Sequence, residues 1–126
     1  MLDASAVIAS LFKETGWKVV DAALEEHAGF ISAVNASEVL SDALLCGLSL
    51  DSALKAFLAL GLEVVPHDLE QAVAVARIKK TLPRKAAISR ADCACLALAE
   101  VRSLPVVTAD GAWPALGLPL EIRQIR

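Results

Sequence analysis

Every position from Cys93 to Ala99 is apolar, so a helix there has no polar face and belongs inside the fold. Elsewhere short apolar runs alternate with segments of helical period. Met1-Leu2-Asp3 reads as the end of a very short strand, and Ser5 opens an apolar helix over Ala6–Phe12. Trp17, Val20 and Leu24 recur at helical spacing up to His27, and Gly29 ends the pattern. Phe30–Val34 is a strand, and Asn35 starts a helix that leads into Val39, Leu40, Ala43 and Leu44 until Gly47 caps it. A further helix begins at Ser49 or Asp51 and runs through Leu54, Phe57 and Leu58 to Gly61. Leu62–Val65 is the next strand. From Asp68, Leu69, Ala72, Val73 and Ala76 predict an amphipathic helix that dissolves into the Lys79–Lys85 loop. After Cys93–Ala99 and the turn at Arg102–Leu104 come a buried strand at Pro105–Thr108, a helical turn near Trp113 and an edge strand at Leu120–Ile122. Alternating strands and helices imply an α/β fold, a mostly parallel sheet with helices on both faces.

Composition narrows the setting. A length of 126 residues suits one domain over 1–126 with a sizeable core. The apolar fraction is 56% and the mean hydropathy +0.58, high for a soluble chain. No apolar run approaches the roughly 18 residues of a membrane span, and no basic segment precedes an apolar one as in a signal peptide. The expectation is a soluble cytoplasmic protein without a membrane segment, whose surplus apolar surface covers a subunit or partner interface. Three cysteines, two of them only two residues apart on a helix, read as buried small residues in a reducing compartment rather than a zinc pair or disulfide. His27 and His67 have no partner at metal-ligand spacing.

The net charge of −3 does not announce a nucleic-acid binder, but its distribution is uneven. Arg77, Lys79, Lys80, Arg84, Lys85 and Arg90 follow one another with no acid between Glu70 and Asp92. Such a run suits either a solvated helix end and loop or a phosphate backbone. The acids are more telling. Asp3, Glu38 and Asp110 each follow a strand, and right-handed crossovers bring the strands' carboxyl ends to one edge, where α/β folds bind ligands. Asp92 opens the helix packed beside that edge. Each acid has a structural alternative. Asn35-x-x-Glu38 and Ser89-x-x-Asp92 have capping-box spacing, and Asp110 could cap the short helix after it. Capping does not account for four acids at one edge, where like charges raise each other's pKa values. An all-oxygen cluster suits Mg2+ or Mn2+, and such ions support phosphodiester cleavage.

Four stretches together resemble a PIN-domain ribonuclease, specifically the VapC type of toxin from prokaryotic type II toxin–antitoxin pairs. They are Leu2–Ala6, Ile31–Val39, Ile88–Ala99 and Pro105–Trp113, in the family's order and spacing across nearly the whole chain. The resemblance implies a three-layer α/β/α sandwich, one or two Mg2+ or Mn2+ ions, and endonucleolytic cleavage of RNA by a homodimer restrained by a cognate antitoxin protein. By matching position, Asp3, Glu38, Asp92 and Asp110 are the acidic quartet that holds metal and carries catalysis. Ser5 and Thr108 are its supporting hydroxyls. Family members usually have a few more residues before the first aspartate, where this chain has Met1 and Leu2 alone. The basic run then assigns Arg84, Lys85 and Arg90 to the RNA backbone. A haloacid-dehalogenase-type phosphatase would want an aspartate where Ser5 stands, and a receiver domain a lysine after Lys85, where there is none. The alternative of another class is a non-catalytic PIN-like module that binds RNA or a protein.

Overall fold

In a computed structural model of the chain, describing residues 1–83 and 86–126, four short strands run parallel: β1 (Phe30–Ser32), β2 (Glu63–Val65), β3 (Val106–Thr108) and β4 (Ile122–Gln124). β1 pairs with β2 and β3 with β4. The Met1–Asp3 segment joins the two pairs. Leu2 N donates to Phe30 O at 2.8 Å, Val107 N to Met1 O at 2.8 Å, and Asp3 N to Val107 O at 3.0 Å. The spatial order is therefore β2, β1, the amino-terminal segment, β3, β4. A segment that reads as the frayed end of a strand occupies the middle of the sheet.

Side chains leave the sheet alternately to its two faces. Leu2, Ile31 and Val107 enter one core, built with α1 (Ala4–Phe12), α2 (Trp17–Glu26), α3 (Ala33–Leu45) and α4 (Leu50–Leu58). Met1, Val65 and Val106 enter the other, built with α5 (Leu69–Thr81), α6 (Arg90–Arg102) and Trp113 of a short 3-10 helix, Trp113–Leu116. This is the expected three-layer α/β/α sandwich. In α6 all seven residues from Cys93 to Ala99 are buried, as its pattern requires. Cys93 and Cys95 are among them, and Cys46 is exposed at the end of α3. At Gly16, with φ of +92°, a methyl group would collide with the Ile125 carbonyl, so the turn between α1 and α2 admits the carboxyl-terminal segment only because it has no side chain. Among the described residues no helix is long and apolar enough to cross a membrane.

Several expectations are corrected. α3 starts at Ala33, not Asn35, and β1 ends at Ser32: Ser32 keeps an extended backbone and its hydroxyl accepts from Val34 N. Asn35 lies inside the helix and Glu38 in its second turn, so their spacing is not a capping box. α5 presents the opposite face from the one its pattern suggests. Gln71, Ala74 and Ile78 are buried against α6, whereas Leu69 is 80% and Val73 52% exposed. The helix also continues through Lys79 and Lys80 to Thr81. On α4 Phe57 is buried, but Leu54 and Leu58 are exposed, as is Leu44 on α3. The last strand is shifted to Ile122–Gln124, because Val106 N bonds Glu121 O and Ile125 N bonds Thr108 O, which sets its register. Arg84 and Lys85 lie outside the described residues.

Candidate active site

In parallel α/β topology each helix runs back against the strands, so its amino terminus lies at the sheet's carboxyl edge. Asp3, at the end of the central segment, caps α1. Its Oδ2 accepts from Ser5 N at 3.4 Å, from Ser5 Oγ at 2.6 Å and from Thr108 Oγ1 at 3.0 Å. Each hydroxyl is also an acceptor: Ala109 N donates to Ser5 Oγ at 2.9 Å and Asp110 N to Thr108 Oγ1 at 3.0 Å. Asp3 thus orients two hydroxyls that hold the backbone on which Asp110 is carried. Asp110 Oδ1 accepts from Ala112 N at 2.8 Å, closing the turn before the 3-10 helix.

Asp92 completes a capping box with Ser89. Ser89 N donates to Asp92 Oδ2 at 2.7 Å and Asp92 N to Ser89 Oγ at 3.0 Å. The capping account of Asp92 is correct, and it uses one carboxylate oxygen. Among the described residues Asp92 Oδ1, Asp110 Oδ2 and both oxygens of Glu38 take no hydrogen bond from protein, although all three residues line the same cleft. Capping and ligand binding are therefore compatible in one side chain, through different oxygens.

That cleft, about 160 Å3, is lined by Asp3, Ser5, Glu38, Asp42, Asp92 and Asp110 with Ala4 and Ile8. It gathers the four expected acids and a fifth, with no cationic side chain among its described walls. Larger cavities of about 320 and 400 Å3 lie elsewhere and contain no carboxylate. Thr108 stands behind Asp3 rather than on the cleft. Arg90 is exposed in the first turn of α6.

The electrostatics show the crowding. Burial pushes the Asp3 carboxyl above its ordinary range, hydrogen bonds from Ser5 and Thr108 hold it back, and the Asp92 charge raises it further. Burial also raises Glu38, followed by the charges of Asp3, Asp92 and Asp42. The amino termini of α1 and α6 offset part of this repulsion.

Sequence reasoning passed over Asp42 and read Asn35 only as a helix cap. Asp42 lies four residues after Glu38, one turn along the same face of α3. Asn35, three before Glu38, is fully buried, and its Nδ2 donates to Ala91 O at 3.1 Å and Asp3 Oδ1 at 3.4 Å. It ties α3 to the first turn of α6 and to the end of the central segment. Its helical spacing from Glu38 was the available signal.

The chain matches the family model described as "PIN domain" over residues 1–117. It belongs to the PIN domain family. A solved structure with this PIN fold is the crystal structure of VapBC2 from Rickettsia felis bound to a DNA fragment from their promoter. It aligns with a TM-score of 0.79 at 16% identity, over 98% of this chain and 96% of the other. No curated protein matches the sequence.

The donor set of this PIN domain fits a hard divalent cation: all oxygen, anionic, and held near helix amino termini. Among the described residues no group of three or more Asp, Glu, His or Cys side chains is arranged to hold an ion as it stands. Binding would have to draw the carboxylates together against the repulsion that raises Asp3 and Glu38.

Proposed function

We propose that this protein is a metal-dependent endoribonuclease, the toxin of a VapC-type toxin–antitoxin pair, that hydrolyses RNA phosphodiester bonds with Mg2+ or Mn2+. The observation that carries the reading is the convergence of Asp3, Glu38, Asp92 and Asp110 on one cleft with no cation among its described walls. These four carboxylates are the candidates to hold the ion. When bound, a divalent cation supplies charge neutralisation at the phosphodiester and acidifies water.

The chain's own groups do the rest. Glu38 takes no hydrogen bond from protein on either oxygen among the described residues, so one oxygen could hold the ion while the other suits accepting a proton from the attacking water. Ser5 and Thr108 orient Asp3 and the backbone bearing Asp110. Arg90, with Arg84 and Lys85, is the candidate to meet the RNA backbone.

The purified protein should cut single-stranded RNA with Mn2+ and stop when EDTA is added. Binding of RNA without cleavage at any metal concentration would favour a non-catalytic module and sink the enzyme reading.

The partners follow from the apolar surface. Leu45, Leu50, Leu58 and Leu69 are each more than 60% exposed, which fits a homodimer and a cognate antitoxin covering parts of this surface in the cytoplasm. The name of the Rickettsia felis VapBC2 complex supports the antitoxin assignment. Light scattering of the isolated chain at micromolar concentration should give twice 13.2 kDa, and a clean monomer would contradict the homodimer.

A further inference from the structure

Asp3, Glu38 and Asp92 come from three separate elements, and one side chain links all three. Asn35 stands three residues before Glu38 on α3, and positions three apart are neighbours on one helix face. Its Nδ2 donates to Ala91 O at 3.1 Å, one residue before Asp92, and to Asp3 Oδ1 at 3.4 Å. The side chain is fully buried. Ala91 O can only accept, so the amide nitrogen must face it, and this fixes which way the group points. The oxygen left over, Oδ1, has no donor among the described residues. A buried acceptor without a partner lowers stability, and the other buried residues of α3, Ala36, Val39 and Ala43, are all apolar. The fold thus keeps a polar group at a cost to its own stability. In return two N–H donors point at the acidic edge.

Among the described residues no other hydrogen bond joins α3 to α6 or to the Met1–Asp3 segment. Apolar packing between these elements is non-directional, so the amide is what sets Asp3 against the first turn of α6. Asp110 is tied to Asp3 by a different route, through Ser5 and Thr108. We propose that Asn35 is a positioning residue of the acidic site: by holding Asp3 and the first turn of α6 on one amide, it sets the separation of Asp3, Glu38 and Asp92 and thereby the affinity for a divalent cation. This rests on the metal-dependent reading of the cleft, whose walls do not include Asn35, and names a residue on which ion binding depends without contact to the ion. Partners that orient the ligands of a metal typically change its affinity by about 10–100-fold when they are replaced.

Asn35→Leu keeps nearly the same size and removes both the donors and the orphaned oxygen. Calorimetric titration of the RNA-free protein with Mn2+ near pH 7 should give a dissociation constant about 10–100-fold weaker than the parent's. Its melting temperature in EDTA should stay near the parent's, because loss of the orphaned acceptor offsets loss of the two bonds. Gln71→Met is the comparison: Gln71 is likewise a buried amide whose nitrogen bonds a carbonyl, Pro66 O, and whose oxygen has no partner, but it lies outside the cleft. That variant should bind Mn2+ as the parent does. The Mn2+ concentration giving half-maximal RNA cleavage should rise for Asn35→Leu by the same factor as the dissociation constant. Asn35→Ala takes its place if the leucine variant does not fold, and failure of both to fold would make Asn35 a structural residue and overturn the proposal. Unchanged Mn2+ affinity in a folded variant, or an equal loss in Gln71→Met, overturns it as well. A parent that binds Mn2+ but cuts no RNA overturns the ribonuclease reading and leaves Asn35 in its role, whereas a parent that binds no Mn2+ overturns both.

Discussion

Asp3→Ala is expected to lower the stability of the protein by roughly 2–4 kcal/mol and to abolish RNA cleavage. Asp3 caps α1, and removing such a cap costs about 0.5–2 kcal/mol. Its carboxylate also receives the hydroxyls of Ser5 and Thr108 and the amide of Asn35, all in a region where Asp3 is 3% exposed. Buried donors left without an acceptor cost about 1–3 kcal/mol each, while removing a desolvated charge returns part of the loss. The backbone amides of Ala109 and Asp110 then lose well-oriented acceptors, so Asp110 loses its position as well. Asp92→Asn should behave differently. Its amide oxygen can still accept from Ser89 N, the lost helix-end charge costs about 0.3–1 kcal/mol, and relief of repulsion on Asp3 and Glu38 works the other way. Its stability should stay within about 1 kcal/mol of the parent. Cleavage should fall by more than the roughly 10–100-fold typical of outer partners of a metal site. Thermal melting in EDTA and a cleavage assay decide. An Asp3→Ala protein that melts with the parent would show that Asp3 is not the hub of the site, and an active Asp92→Asn protein would remove Asp92 from catalysis.

The stabilisation conferred by Mn2+ should grow with pH, reaching about 2.7 kcal/mol near pH 7 at a hundred times its dissociation constant. Asp3 and Glu38 both have folded-state pKa values raised above their ordinary ones. The folded state therefore holds protons that the unfolded chain releases. Their contribution to stability is fully present below the unfolded values, about 3.8 and 4.5, and is lost as pH rises through the raised folded values. Asp21 has the opposite sign, being lowered by Lys13 and Ser10 against its own desolvation, and its contribution is lost only below 3.8. In the metal-free protein the acidic site should thus become a growing liability above about pH 4.5. A cation bound only by the folded state removes that liability, because it must displace the retained protons at low pH and meets free carboxylates at high pH. Melting across pH 4–7, with and without Mn2+, measures this. A metal response of equal size at both ends of the range, or none, would mean that Asp3 and Glu38 do not hold the ion.

Much of this site could be read before folding. The all-apolar Cys93–Ala99 segment could only be a buried helix, and the short apolar run before Asp110 could only bring that acid to a sheet edge, whereas Glu38 reaches the cleft from the second turn of α3. The Ser89-x-x-Asp92 box is local chemistry and formed as its spacing predicts. What the residues alone left open, capping against metal binding, was an opposition that the carboxylates do not have. Asp92 and Asp110 each spend one oxygen on a backbone amide and keep the other. Asn35 and Asp42 join the site through the face of α3 set by the cap at Ser32. A one-turn error in where that helix begins makes Glu38 look like a capping residue.

The sequence by itself determined the α/β order, the buried α6 and the places of Asp3 and Asp110 at strand ends, because these follow from periodicity, composition and neighbours within a few residues. Only the tertiary structure decided which face of α5 turns inward, since both the Leu69–Val73 and the Ala74–Ile78 faces carry apolar residues. The small Ala74 lets α5 lie close against α6, and Gln71 is admitted because its amide reaches Pro66 O at 2.7 Å. The same holds for the amino-terminal segment. Three residues have no intrinsic preference strong enough to form a strand, and Met1–Asp3 is extended in mid-sheet because Phe30 on one side and Val107 on the other complete its hydrogen bonds.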